Sequence, residues 1–223
     1  MTTIVLDIEG TTSSTESVHV GLYAYARPRL GPYLDAHRDD PEVRAVLAEI
    51  GADGTAEAVK VLHGWMDGDV KATPLKTLQG RIWAEGFAAG ELTAHFFADV
   101  PPALRAWHAA GHRLAVFSSG SVSSQRPWFR HAADGDLSVL VSGWFDTVNA
   151  GPKREPGSYE RIAAALGLGE PSEPLFLSDV PAELDAAAAV GWRTTGVRRP
   201  GEPNAAVPFG AHPIVTTFEE IRP

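Results

Sequence analysis

Cysteine is absent from all 223 residues. Disulfides, thiolate zinc sites, iron–sulfur clusters and a cysteine nucleophile are excluded with it. Cations are in the minority: 19 Lys and Arg stand against 28 Asp and Glu, a formal net charge of −9. Charge alone would not hold such a chain on nucleic acid or on an anionic membrane, so neither partner is expected. Long apolar runs are missing too, since the longest are broken by Gly, Asp or Arg; no transmembrane helix is expected. Met1-Thr2-Thr3-Ile4-Val5-Leu6-Asp7 has no basic segment leading into an apolar core. A signal peptide is therefore not expected, and the cytoplasm is the expected location. No internal repeat, no Walker A loop and no Gly-x-Gly-x-x-Gly fingerprint occurs, so neither a solenoid nor a nucleotide cradle of those kinds is indicated. His108 and His112 stand four apart on an expected helix, but no His-Glu-x-x-His and no third ligand accompany them. Zinc is not expected there.

What is present is ordinary globular composition, with 44% hydrophobic and 21% charged residues. The length suits one large domain or a core carrying an insertion. Three short apolar runs end in small or acidic residues. Ile4-Val5-Leu6 stops at Asp7-Ile8-Glu9-Gly10-Thr11-Thr12, Leu114-Ala115-Val116-Phe117 at Ser118-Ser119-Gly120, and Leu175-Phe176-Leu177 at Ser178-Asp179. Continuous runs of this length read as strands buried on both faces of a parallel sheet. Weaker strands are expected over 144–148, 192–197 and 214–216. Helical stretches at 101–110, 157–166 and 181–190 lie between them, each followed by Gly, a usual helix stop. The alternation predicts an α/β fold, a doubly wound, mostly parallel Rossmann-like sheet with helices on both faces.

Residues 14–97 break the alternation. Helical patterns at 18–25, 41–50, 56–66 and 75–89 are separated by Pro28, Pro32, Gly51-Ala52-Asp53-Gly54 and Asp67-Gly68-Asp69, with no strand among them. They are expected to form an inserted all-helical cap, with 1–13 and 98–223 as the catalytic core. An insertion after the first strand would sit over the carboxyl ends of the sheet, where ligands bind in such folds, and would serve as a lid.

The strand ends then bring Asp7, Glu9, Ser118, Ser119 and Asp179 to one edge, and Lys153 of Gly151-Pro152-Lys153 follows another strand. Singly, each has a plain reading: Asp after a strand often caps a helix, and Lys153 could be a surface charge. Together they are harder to dismiss. Three carboxyls repel unless a cation or a shared proton lies between them. A hard cation with few protein ligands and several waters is Mg²⁺. Lys153 and the Ser118 hydroxyl could hold a phosphoryl group opposite it, and an Asp carboxylate can attack phosphorus.

Asp7-Ile8-Glu9-Gly10-Thr11-Thr12, Ser118-Ser119-Gly120-Ser121-Val122, Gly151-Pro152-Lys153 and Ser178-Asp179-Val180 resemble the four motifs of the haloacid dehalogenase (HAD) superfamily. More narrowly they are similar to the enolase-phosphatase family of methionine salvage, set apart by Glu where most relatives place a second Asp, here Glu9. The likeness extends to Leu75-Lys76-Thr77-Leu78-Gln79-Gly80-Arg81-Ile82-Trp83 and Gly90-Glu91-Leu92 of the cap, and to Glu183-Leu184-Asp185-Ala186-Ala187 of the core. The resemblance implies a HAD-like core and Asp7 as nucleophile and Mg²⁺ ligand. It implies that Glu9 supplies a backbone carbonyl to the metal and its side chain as acid/base, and that Asp179 is the other carboxylate ligand. Ser118 and Ser119 would grip the phosphoryl group and Lys153 would neutralise it. The implied substrate is 2,3-diketo-5-methylthiopentyl 1-phosphate, enolised and then dephosphorylated to an acireductone through an aspartyl-phosphate. A monomer acting on a small phosphorylated metabolite is expected. Where the family has an aromatic before Val and later an aromatic-Pro-Tyr, this chain reads Ser17-Val18 and Tyr23-Ala24-Tyr25. The alternatives are a HAD-type phosphatase for another small metabolite and a phosphoaccepting receiver, which would keep its phosphoryl group. A 2-haloacid dehalogenase would use Asp7 on carbon and need no metal.

Overall fold

The structure is a computed structural model and describes residues 1–68, 70, 72–169 and 172–223; Asp69, read above as part of a turn, lies outside them. The chain divides by contact into two units, Met1–Val18 with Thr93–Pro223, and His19–Leu92.

In the first unit six strands form one sheet: β1 (Thr3–Leu6), β2 (Arg113–Phe117), β3 (Val141–Phe145), β4 (Leu175–Ser178), β5 (Arg193–Val197) and β6 (Ile214–Val215). Their order is β3-β2-β1-β4-β5-β6, and every pairing is parallel. The apolar runs are continuous because both faces are covered. Val5, Ala115, Phe117 and Phe176 point into a core closed by Tyr159, Ile162 and Leu184. Those three come from α8 (Pro156–Ala165) and α9 (Pro181–Ala188). The alternate residues Ile4, Leu6, Leu114, Val116 and Leu177 are fully buried too. On that side α6 (Val100–Ala109) packs on β2 and α7 (Val122–Arg130) on β3, with the Phe129 and Trp144 rings edge to face at 5.2 Å.

Chain order reverses at β1: the chain leaves it for β2 and β3 on one side and returns to β4 on the other. The crevice at the carboxyl ends of β1 and β4 is the switch point at which such sheets bind ligands.

Some elements differ from the sequence pattern. Strand β3 lies three residues earlier than expected, because Asp146 turns the chain by accepting from the backbone N–H of Val148 (2.9 Å) and Asn149 (3.0 Å). Helix α7 was not anticipated; it contains Pro127, which ordinarily argues against a helix interior. His108 and His112 do not share a helix, since α6 ends at Ala109, and His112 Nδ1 accepts from Thr2 N at 3.2 Å.

The second unit is helical. A π-type turn (Ser17–Leu22) runs into α1 (Tyr23–Ala26), and α2 (Leu30–Ala36), α3 (Pro41–Ile50), α4 (Thr55–Asp67) and α5 (Thr73–Ala88) follow. Pro32 does not mark a turn. It is the third residue of α2, where a missing N–H costs no helical hydrogen bond. Helix α5 supplies most of the unit's interior, with Leu75, Leu78, Ile82, Trp83 and Phe87 buried. Trp83 Nε1 donates to Leu22 O at 2.7 Å. Among the described residues no helix is long and apolar enough to cross a membrane.

Candidate active site

Asp7 is the first residue past β1. Its N–H donates to Leu177 O at 3.0 Å, so it sits beside the end of β4, where Ser178 and Asp179 follow. The chain beyond it folds into a tight turn: the N–H groups of Thr12 and Ser13 both donate to Ile8 O at 2.9 Å. Thr12 Oγ1 donates to Asp7 O at 3.0 Å. Gly10 stands at φ 69°, the left-handed region glycine enters without steric cost, and a Cβ there would collide with Asp179 Oδ2. Asp179 N in turn donates to Thr11 Oγ1 at 3.0 Å. The turn after β1 and the end of β4 thus fix each other.

Lys153 is buried, 8% exposed. Its carbonyl accepts from Tyr159 OH at 2.7 Å, and its ammonium lies 5.7 Å and 5.9 Å from the ring centroids of Phe117 and Phe176. Its Nζ contacts Asp7 Oδ1 at 2.6 Å and Glu183 Oε2 at 2.7 Å, while Glu183 Oε2 also accepts from Ser178 Oγ at 2.9 Å. Ser118 is buried, and its Oγ accepts from Gly120 N at 3.2 Å; Ser119 is exposed. Asp7, Glu9, Ser118, Ser119, Lys153 and Asp179 all line one cavity of about 180 Å³, together with Thr15, Glu183 and Asn204. Every sequence-predicted site residue is therefore in one place.

Four carboxyl side chains, Asp7, Glu9, Asp179 and Glu183, line that cavity with the single ammonium of Lys153. Burial pushes the Asp7 pKa well up; Lys153 pulls it down, and Glu183 and Asp179 push it further up. Asp179 is pushed up to about 6, mainly by burial, although its bond from Asn204 opposes the rise. Burial alone would lower Lys153, but Asp7 and Glu183 outweigh it and hold the ammonium above its ordinary value. With all of these groups ionised the cavity holds four negative charges against one positive, an excess of acid that a divalent cation would relieve. The donors are hard oxygens. No cluster of three or more His, Asp or Glu side chains suited to a metal occurs among the described residues. A cation here would thus take two protein carboxylates and fill its shell with backbone oxygen, water and substrate, the habit of Mg²⁺ rather than of zinc. The donor set fits Mg²⁺ on these grounds.

Sequence reasoning gave no site role to Glu183, Asn204 or Thr11. Arg198-Arg199-Pro200-Gly201 has the composition of a solvated loop at a strand end, with at most a minor contact to substrate, yet Arg199 is not solvated. Arg199 is 4% exposed. It contacts Asp99 at 2.8 Å, donates through Nε to Thr11 O at 3.1 Å, and lies over the Phe97 ring, 4.4 Å from its centroid. The signals for Glu183 were its place in the first turn of the helix that follows Asp179 and the family likeness of Glu183-Leu184-Asp185-Ala186-Ala187, neither of which gives it a role. Asn204 carried none.

A doubly wound parallel sheet with carboxylates at its switch point, an acid-rich cavity and a buried Lys define a class. A family model described as haloacid dehalogenase-like hydrolase matches residues 1–191, and the chain belongs to that family. It is 60% identical over 225 residues to Enolase-phosphatase E1 of Saccharopolyspora erythraea, covering 98% of this chain and 94% of the relative. It is 44% identical to the protein of that name in Synechococcus elongatus, covering 99% and 98%. The solved UTR4 protein of Saccharomyces cerevisiae superposes with a TM-score of 0.84 at 33% identity over 99% of both chains. Within the superfamily the chain belongs with the enolase-phosphatases, and it is a hydrolase of the phosphatase kind.

Proposed function

We propose that the chain is a Mg²⁺-dependent bifunctional enolase-phosphatase. It enolises 2,3-diketo-5-methylthiopentyl 1-phosphate and then dephosphorylates it to the acireductone, a step of methionine salvage. It works as a cytoplasmic monomer on this one small metabolite. The observation that carries the reading is the buried Asp7–Lys153 pair at 2.6 Å, in a cavity shared with Ser118, Ser119, Asp179 and Glu9.

Asp7 is the nucleophile. One of its carboxylate oxygens bonds to phosphorus while the bond from phosphorus to the substrate oxygen breaks, leaving an aspartyl-phosphate. Glu9 gives a proton to the departing oxygen and then takes one from the water that attacks the phosphorus, so that phosphate leaves and Asp7 is restored. Lys153 offsets the charge that builds beside Asp7, and Ser118 and Ser119 hold the phosphoryl oxygens. Asp7, Asp179 and the backbone carbonyl of Glu9 would hold Mg²⁺, which when bound neutralises phosphoryl charge and polarises the diketone for enolisation.

A stopped assay of the diketo-phosphate with Mg²⁺, following enediol absorbance and phosphate release together, tests this. Both signals should appear, enediol first, and EDTA should abolish phosphate release. Ser17 and Ala24 carry the second reading, a phosphatase for another small phosphorylated metabolite. Phosphate release from simple phosphomonoesters with neither signal from the diketo-phosphate would select it.

A further inference from the structure

Residues 199–204 follow β5 and close on the turn after β1 and the end of β4 at three points. Arg199 Nε donates to Thr11 O at 3.1 Å, Thr15 N donates to Glu202 Oε2 at 2.9 Å, and Asn204 Nδ2 donates to Asp179 Oδ2 at 2.9 Å. Arg199 is anchored in turn to Asp99 and to Thr216 O, so the segment that carries Asn204 is tied to the body of the sheet. Asn204 and Pro203 line the same cavity as Asp7 and Asp179.

Asp179 Oδ2 is therefore held from two sides. Asn204 donates to it, and Gly10 packs so close that a Cβ there would strike it. A carboxylate free to turn about its last torsion presents either oxygen in many directions. One whose Oδ2 already accepts a hydrogen bond has its last torsion fixed, and Oδ1 becomes the less encumbered oxygen. Loss of a group that orients a metal ligand in this way typically costs about 10–100-fold in metal affinity.

We infer that Asn204 is a positioning residue for Asp179, fixing which carboxylate oxygen is offered to the divalent cation. The inference rests on the proposed metal reading and adds to it a residue outside the sequence motifs. It assigns the segment 199–204 a function in metal binding that its loop sequence does not suggest.

The test is a calorimetric titration of the substrate-free protein with Mg²⁺, on wild type, Asn204→Ala and Asn204→Leu. Leucine keeps the bulk and removes the amide. Each variant should bind Mg²⁺ about tenfold or more weakly while still unfolding in one cooperative transition. The Mg²⁺ concentration for half-maximal turnover should rise by the same factor, while the rate at saturating Mg²⁺ changes little. A packing role would spare Asn204→Leu and so overturn the inference, as would unchanged Mg²⁺ affinity in both folded variants. If alanine prevents folding, leucine alone decides. A wild type that shows no saturable Mg²⁺ binding would overturn the metal reading and this inference together, an outcome distinct from the other two.

Discussion

One ammonium serves two buried carboxylates at the heart of the cavity: Lys153 bonds both Asp7 and Glu183. Removing one partner of a buried ion pair leaves the other charge without compensation, a change that costs about 3–5 kcal/mol. Lys153→Met should lose stability on that scale at neutral pH, measured by urea unfolding. The loss should shrink in acid as protons take the place of the lysine. A loss within about 0.5 kcal/mol, as for an ordinary surface change, would mean that the pair is not buried in solution. Asp7, Ser118 and Asp179 were legible because each stands within two residues of the end of an apolar run, and a run buried on both faces must deliver the polar residues that follow it to the sheet edge. Lys153 was legible only in company. Asn204 and Arg199 were not, since their positions depend on how the segment after β5 folds back, which no local pattern encodes. A charged pair such as Arg198-Arg199 reads as solvated until its partner Asp99, a hundred residues away, is seen beside it.

At the scale of elements, the turn after β1 is the part most constrained by shape. Gly10 holds a positive φ and leaves no room for a Cβ against Asp179. Gly10→Ala must place an L-residue in the left-handed region, costing about 1–2 kcal/mol, and must also displace the carboxylate. Stability should fall by at least that amount in chemical denaturation, and Mg²⁺ affinity with it. A variant that keeps wild-type stability and Mg²⁺ affinity would show that the turn is looser than described. The helices of the second unit from Pro41 onward were legible because turn residues separate them cleanly. Helix α2 was not, since Gly31 and Pro32 sit inside its first turn, where backbone N–H groups need no helical partner. Strand β3 slipped because Gly143 and Ser142 hide its start, whereas Thr147 and Val148 look like strand but belong to the Asp146 turn.

For the whole molecule, the surplus of buried acid links stability to pH and to metal. Asp179 has its pKa near 6 in the fold, against 3.8 for the ordinary carboxyl, so folding takes up a proton between those values. The cost of keeping it ionised is present in full above about pH 6 and is relieved as the pH falls toward the unfolded value. Asp7 acts in the same direction. In metal-free protein Asp179→Asn should therefore melt higher than wild type at about pH 7.5, with the advantage gone by about pH 4. Added Mg²⁺ should reverse the order at the higher pH, because only wild type binds it well. An advantage that grows in acid would contradict the sign.

The central claim is that Asp7 takes the phosphoryl group, and acid-quenched mass spectrometry of the enzyme during turnover tests it most directly. With the diketo-phosphate and Mg²⁺, the phosphoryl group should be found on the peptide containing Asp7, and Asp7→Asn should show neither adduct nor phosphate release while melting normally. A phosphoryl group on another residue, or wild-type turnover in the Asp7→Asn enzyme, would contradict the account.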